Sequence, residues 1–458
     1  MLRSFFCALL LTGIQVLGVH AEREASPPIV RGLYVGYMHH YNVGDDAMFE
    51  VAQELFGSIG RKLNQTVLLV PFLPPVACNL FKIDFSRYAF IIHGGGSIMG
   101  NIEYNCYMKT AKEQKIPYFL FGTGFEANLA GSMAILDLFK SMGRATAKED
   151  LQLSFAEEDT GIMLYLNRVR DTVTIPTAGG FRGYFTKMFV SMLNVEHTLE
   201  VIGDSGLLVP RLLKIAAGST AKDYFEDELM PAALRDKPSG TERFLVAVNY
   251  GQNQPSDAIF HTDTEVLDHA FAEMASSLAS VHFDVVIYSM SGDDINATFR
   301  VYNMALQYAA RDWASMGVEH SPEDHIFFMP YVTDSVGILS LLKRAKLSIN
   351  YKLHANVFSA SLGIPFINVA YHFKGEDFSH FLGDNILRDY TIRSSDIRGT
   401  KDLVDKVNLL IKDCTTDEGY SSLSHQLKSK ALEVEETYMG LVESFLSGMF
   451  VEKAPEGS

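Results

Sequence analysis

The chain has 458 residues, 47% of them hydrophobic and 21% charged, enough to bury a sizeable core and more than one ordinary domain holds. Its formal charge of −16 excludes nucleic acid as an expected partner, and 35 Gly and 15 Pro scattered singly exclude collagen-like repetition and long disordered tracts. An anionic ligand must then be held by a few placed cations against an unfavourable overall field, so basic residues inside motifs are unusually informative.

The chain opens with Met1-Leu2-Arg3, an apolar stretch over 5–19, and small residues around His20 at signal-peptidase spacing. This predicts a secretory signal peptide over 1–21. Gln15 and two glycines interrupt the stretch, which is shorter than the roughly 20 apolar residues of a spanning helix. The expected location is the secretory pathway, Golgi lumen or secreted, with no stable membrane span after cleavage; an uncleaved anchor is the alternative and would favour Golgi retention. Cys7 would leave with the signal, and Cys78, Cys106 and Cys414 allow at most one disulfide and match no zinc-ligand spacing. The sequons at Asn64 and Asn296 fit a lumenal glycoprotein.

Apolar runs of strand length follow at 32–36, 67–70, 88–92 and 118–121, with segments of helical period between them. Short apolar strands separated by helices predict a parallel sheet covered on both faces, here an N-terminal Rossmann-like domain over 28–218. A polar stretch over 219–242, holding Pro231, Pro238 and Gly240, reads as a linker. Further runs at 244–248, 285–287, 326–329, 347–349 and 366–369 predict a second such domain over 243–415, and an amphipathic helix over 420–450 is expected to pack back across both. Two doubly wound domains facing each other place their ligands at the carboxyl ends of the strands, in the cleft between them.

Four motifs carry candidate chemistry, the first, second and fourth of them at predicted strand ends. In the first, over 36–48, Gly44 permits a tight turn and Asn42 or Asp45 can cap a helix; capping and ligand contact are equally compatible with the pattern. In the second, Ile92-His93-Gly94-Gly95-Gly96-Ser97, three glycines lead from a strand into a predicted helix and let backbone approach a ligand. Gly122 and Gly124 repeat the device at the next strand end. The third, Arg168-Val169-Arg170-Asp171, with Gly203-Asp204-Ser205 after it, offers Arg170 either as an ion-pair partner of Asp171 or Asp204 or as a planar anchor for phosphate or carboxylate. The fourth, Asn350-Tyr351-Lys352-Leu353-His354-Ala355-Asn356, brings a lysine and a histidine to one strand end, and Lys374 adds a cation at the next. No Asp-X-Asp or His-rich cluster indicates a metal.

In this order and spacing, over roughly 32–378, the motifs resemble the polysaccharide pyruvyl transferase family. The resemblance implies two facing Rossmann-like (GT-B-like) domains, no cofactor, phosphoenolpyruvate as donor substrate, and a sugar diol of a glycan as acceptor, converted to a cyclic pyruvate ketal. It implies His354 as general acid, Arg170 and Lys352 as anchors of phosphate and carboxylate, and the Asn42 and Asp45 loop as acceptor contacts; Gly95, Gly96, Ser97, Gly124 and Lys374 complete the expected binding surface. Where the family carries Arg-Leu-His, this chain has Lys352-Leu353-His354, which supplies charge without a bidentate fork. The competing readings are a GT-B-type glycosyltransferase using a nucleotide sugar, with His39 or His40 as acid/base and Glu376 as a ribose clamp, and a non-catalytic glycan-binding homologue.

Overall fold

The computed structural model describes residues 27–38, 40–72, 84–99, 104, 108–125, 160–174, 176–193, 197–217, 243–252, 262–318 and 320–451. The signal stretch, the linker 219–242, His39, Cys7, Cys78 and Cys106 lie outside these residues.

The first sheet contains β1 (Ile29–Val35), β2 (Thr66–Phe72), β3 (Phe90–His93), β4 (Gly96–Met99), β5 (Tyr118–Phe125), β6 (Ala178–Phe181) and β7 (Glu200–Val201). Its order is β2-β1-β3-β5-β6-β7, with β4 paired to β5, and every pairing is parallel. The central β5 is buried at all eight positions, as expected of a strand covered on both faces. Its helices are α1 (Val43–Lys62), α2 (Met108–Glu113), α3 (Thr160–Thr174), α4 (Tyr184–Met192) and α5 (Pro210–Ala217).

The second sheet contains β8 (Phe244–Asn249), β9 (Phe283–Tyr288), β10 (Ile326–Met329), β11 (Leu347–Asn350), β12 (Phe366–Ala370) and β13 (Thr391–Arg393), in the order β10-β9-β8-β11-β12-β13. Counted within the domain this is 3-2-1-4-5-6, the order of dinucleotide-binding folds, whose ligands sit where the order reverses, between β8 and β11. Helices α6 (Thr264–Ala279), α7 (Ile295–Met316), α8 (Ser335–Arg344), α9 (Leu353–Leu362), α10 (Phe373–Leu382), α11 (Asp384–Asp389) and α12 (Thr400–Cys414) accompany it.

A last helix, α13 (Asp417–Val451), returns to the first domain. Phe445 packs edge-on against Phe90 and Phe119 at 5.6 and 5.2 Å, and the Tyr438 hydroxyl donates to the Gly203 carbonyl at 2.9 Å. Nearer its start, Gln426 donates to the Leu382 carbonyl and bonds Asn385 of the second domain. One hydrophobic core therefore runs through both domains, with a smaller cluster on the other face of the first sheet. Among the described residues no helix is long and apolar enough to cross a membrane.

Two local expectations are corrected. The triple glycine leads into a short strand rather than a helix, because Gly96 takes φ +96° and the chain continues extended beside β5. Strand β6 escapes the apolar pattern because it is half glycine. Gly179 sits at φ +106° with its Cα against the Leu120 backbone, where any side chain would overlap.

Candidate active site

A cleft of about 350 Å³ opens between the domains. Its walls follow the strand ends: Tyr37, His40, Asn42 and Asp45 after β1, Gly96 and Ser97 after β3, Arg182 after β6, Gln252 after β8, Met290 to Asp294 after β9, Lys352 and His354 after β11, and Tyr371 and Lys374 after β12. Both reversal points of strand order thus face the same space.

On the first domain the cleft is built around the start of α1. Asn42 caps the helix, its side-chain oxygen accepting from Gly44 N at 3.1 Å, and Asp45 and Asp46 complement the helix dipole from the first turn. Capping and cleft lining therefore coexist at Asn42. The same turn is tied to the second domain by a backbone bond from Val43 N to the Met290 carbonyl at 3.2 Å and by a bridge between Asn42 and Ser291.

Asp45 lines the cleft beside Gly96, where a Cβ would lie 3.2 Å from its Oδ1. Burial raises its carboxyl well above the usual range, with Lys374 opposing and Asp46 reinforcing the shift. It therefore holds its proton more tightly than an ordinary carboxyl.

On the second domain, Asn249 at the end of β8 accepts the Lys352 amide at 2.9 Å and fixes the turn into α9. Lys352 stands at the N-cap without a side-chain capping bond, leaving the helix start open to an anion. The His354 imidazole packs on the backbone of Gly44, where any Cβ would overlap the ring. Its Nε2 is buried with no hydrogen-bond partner. Burial, then the positive charges of Lys374 and Arg182, push its pKa down to about 3, so the imidazole is neutral in the empty cleft.

The structure relocates the arginine. Arg170 is a half-exposed residue of α3 whose guanidinium donates to Asn167 on the same helix, and it is not among the residues lining the cleft. Arg182, buried to 4% exposure, takes that place and donates to Ser97 Oγ at 3.0 Å. Gly124 contributes room, since a Cβ there would meet the Arg182 guanidinium; Gly95 packs against Ser205 and Met48 beneath the floor and does not line it. The readable signal for Arg182 was Gly-Gly-Phe-Arg-Gly over 179–183, a glycine-rich strand end of the kind recognised elsewhere in the chain.

Lys352 also differs from its expected role. Its Nζ pairs with the buried Asp294 at 3.1 Å, so much of its charge is already compensated. Lys374 lines the cleft with its Nζ 5.3 Å from the centre of the Tyr371 ring. Arg182 and Lys374 are therefore the cations at the His354 end. Glu376 forms a two-bond pair with Arg393 at 2.6 and 3.1 Å and does not line the cleft. Among the described residues no group of three or more His, Cys, Asp or Glu side chains could hold a metal ion.

Comparison with known families gives one match: the model described as polysaccharide pyruvyl transferase covers residues 180–373. Residues 180–373 are similar to the polysaccharide pyruvyl transferase family. This segment begins at β6, contains Arg182, Lys352 and His354, and leaves Arg170 outside. Among solved structures, UDP-GlcNAc 2-epimerase from Neisseria meningitidis aligns with TM-score 0.50 at 9% identity, over 93% of this chain and 100% of its own. A UDP-glucosyltransferase from Polygonum tinctorium aligns with TM-score 0.47 at 12% identity, over 92% and 100%. No curated protein matches the sequence. The fold is the two-domain GT-B arrangement, and the segment matched by the family model resembles that of a transferase.

Proposed function

We propose that the protein transfers pyruvate from phosphoenolpyruvate to two hydroxyls of a glycan sugar, forming a cyclic ketal. The observation that carries this reading is the convergence of Arg182, Lys374 and the open N-terminus of α9 around His354, inside the pyruvyl transferase segment and its immediate edge. Phosphoenolpyruvate carries a phosphate and a carboxylate on adjacent atoms, and two cations with one helix start provide for both. The nucleotide-sugar reading loses its clamp, because Glu376 is engaged by Arg393.

The charge states argue for roles that differ from the expected one, in which His354 was the acid. The Asp45 carboxyl, whose hold on its proton burial strengthens, gives that proton to the donor's methylene carbon, and positive charge develops on the neighbouring carbon. One sugar hydroxyl attacks that carbon and its proton passes to His354, a base in its neutral form. Phosphate leaves with the proton from His354. The second hydroxyl then attacks, closing the ketal, and its proton restores Asp45. One hydroxyl proton ends on the new methyl group and the other on phosphate.

The first test is calorimetric titration with phosphoenolpyruvate and a panel of nucleotide sugars. Saturable phosphoenolpyruvate binding should vanish in Arg182→Ala and persist in Arg170→Ala; binding of nucleotide sugars alone would overturn the reading. Asp45→Asn and His354→Gln should each bind the donor yet lose turnover by about 100-fold or more. Turnover should fall as pH rises through the elevated pKa of Asp45, and fall on the acid side as His354 takes up a proton. The apolar segment over 5–19 supports placing this chemistry in the secretory pathway.

A further inference from the structure

The cleft lining contains two groups of residues. Arg182, Lys374 and His354 stand with Ser97. Tyr37, His40 and Asn42 of the first domain and Ser291, Asp293 and Asp294 of the second form the other, with Asp293 exposed and Lys352 paired to Asp294. The second group carries an aromatic platform: Tyr37 is 41% exposed and stacks on His40, ring centres 4.2 Å apart and planes 16° from parallel.

The platform is held in position at a cost. Tyr41, beside it, takes φ +56°, a conformation rare for a non-glycine residue. Its carbonyl accepts from Gly292 N at 2.8 Å, next to the Asn42–Ser291 bridge and the Val43–Met290 bond. Two backbone hydrogen bonds, which together make the Asn42–Ser291 bridge, therefore tie the segment that follows His40 to the one that carries Asp293, whose carboxylate makes no hydrogen bond or ion pair among the described residues.

We infer that the Tyr37–His40 face and Asp293 form the acceptor subsite, shaped for an uncharged hexopyranose lying with its C–H face on Tyr37 and its hydroxyls toward Asp293, Gln252 and Asn42. A flat, apolar ring face stacks on an aromatic ring, and sugar hydroxyls donate to a carboxylate. The same carboxylate repels a sugar acid, so a uronic acid is the disfavoured acceptor. The assignment rests on the pyruvyl-transfer reading for its functional meaning, but sugar binding can be measured without the donor.

The experiment is saturation-transfer NMR on the purified protein with methyl glycosides of glucose, galactose and mannose, and with methyl glucuronoside, each with and without phosphoenolpyruvate. At least one neutral hexoside should receive saturation on the protons of a single ring face. Tyr37→Ala should weaken its binding roughly tenfold and Tyr37→Phe should restore it, both with unchanged phosphoenolpyruvate affinity. Asp293→Asn should admit the glucuronoside. Undiminished hexoside binding in Tyr37→Ala, or no neutral hexoside bound even with phosphoenolpyruvate present, would overturn the subsite. Hexoside binding at Tyr37 without any phosphoenolpyruvate binding would uphold it while removing the donor reading.

Discussion

Gly44 is the residue on which the site's geometry turns most directly. The His354 ring occupies the space a side chain would need, so the first turn of α1 and the first turn of α9 touch through a missing Cβ. Gly44→Ala should displace the imidazole and lower turnover by about 100-fold, the scale of a 1 Å misplacement of a reacting group. Circular dichroism should change little, since alanine suits a helical first turn, while the unfolding midpoint should fall as the overlapped ring is forced to repack. A variant with wild-type turnover would show that the observed ring position is not the working one. At the same contact the His354 Nε2 is buried without a hydrogen-bond partner.

At the level of elements, the domains meet through helix ends. Helix α4 starts at Gly183 with no side-chain cap of its own, and Asp377 from α10 of the other domain accepts its Phe185 amide at 2.9 Å. Burial pushes the Asp377 carboxyl up to about 6, with the Phe185 bond and the charges of Arg182 and His380 opposing. A folded-state pKa above the unfolded value means the native state holds this proton more tightly, so stability from this group is full in acid and lost as pH rises through about 6. Asparagine keeps the acceptor and removes the titration. Asp377→Asn should therefore gain stability relative to wild type between pH 4 and 7, by on the order of 3 kcal/mol, in urea unfolding followed across that range. A difference independent of pH would mean the carboxyl is ionised throughout.

For the whole molecule, α13 makes one body of two domains. Its anchor on the first domain is polar as well as aromatic: Arg211 of α5 pairs with Glu54 of α1 and with Glu435 of α13 at 2.7 Å, and donates to Ser58. These side chains are only 15–18% exposed, so removing the arginine strands two carboxylates in a poorly hydrated seam. Arg211→Ala should cost about 3 kcal/mol in denaturant unfolding, whereas a solvent-exposed surface pair would cost under about 1 kcal/mol. A loss near the surface value would mean that α13 is held by its aromatic contacts alone.

Much of this was readable before any fold was known. Strands at 67–70, 118–121, 244–248, 347–349 and 366–369 are apolar runs too short for helices, and a period that repeats across a polar linker implies two parallel sheets. Glycines and polar residues at strand ends then mark a cleft. Of the site residues expected there, Asn42, Asp45, Gly96, Ser97, Lys352, His354 and Lys374 line it. Local pattern could not choose between arginines: Arg170 proves to lie within helix α3 and Arg182 directly after β6, and only the sheet order shows which of them faces the other domain. Nor could it show that Lys352 is compensated by Asp294, 58 positions earlier in the chain, or that burial raises the Asp45 carboxyl and lowers the His354 imidazole. Residue types and their spacing determine which chemistry is possible. Charge state and pairing depend on burial and on neighbours distant in sequence, and these exist only once the two domains have closed on each other.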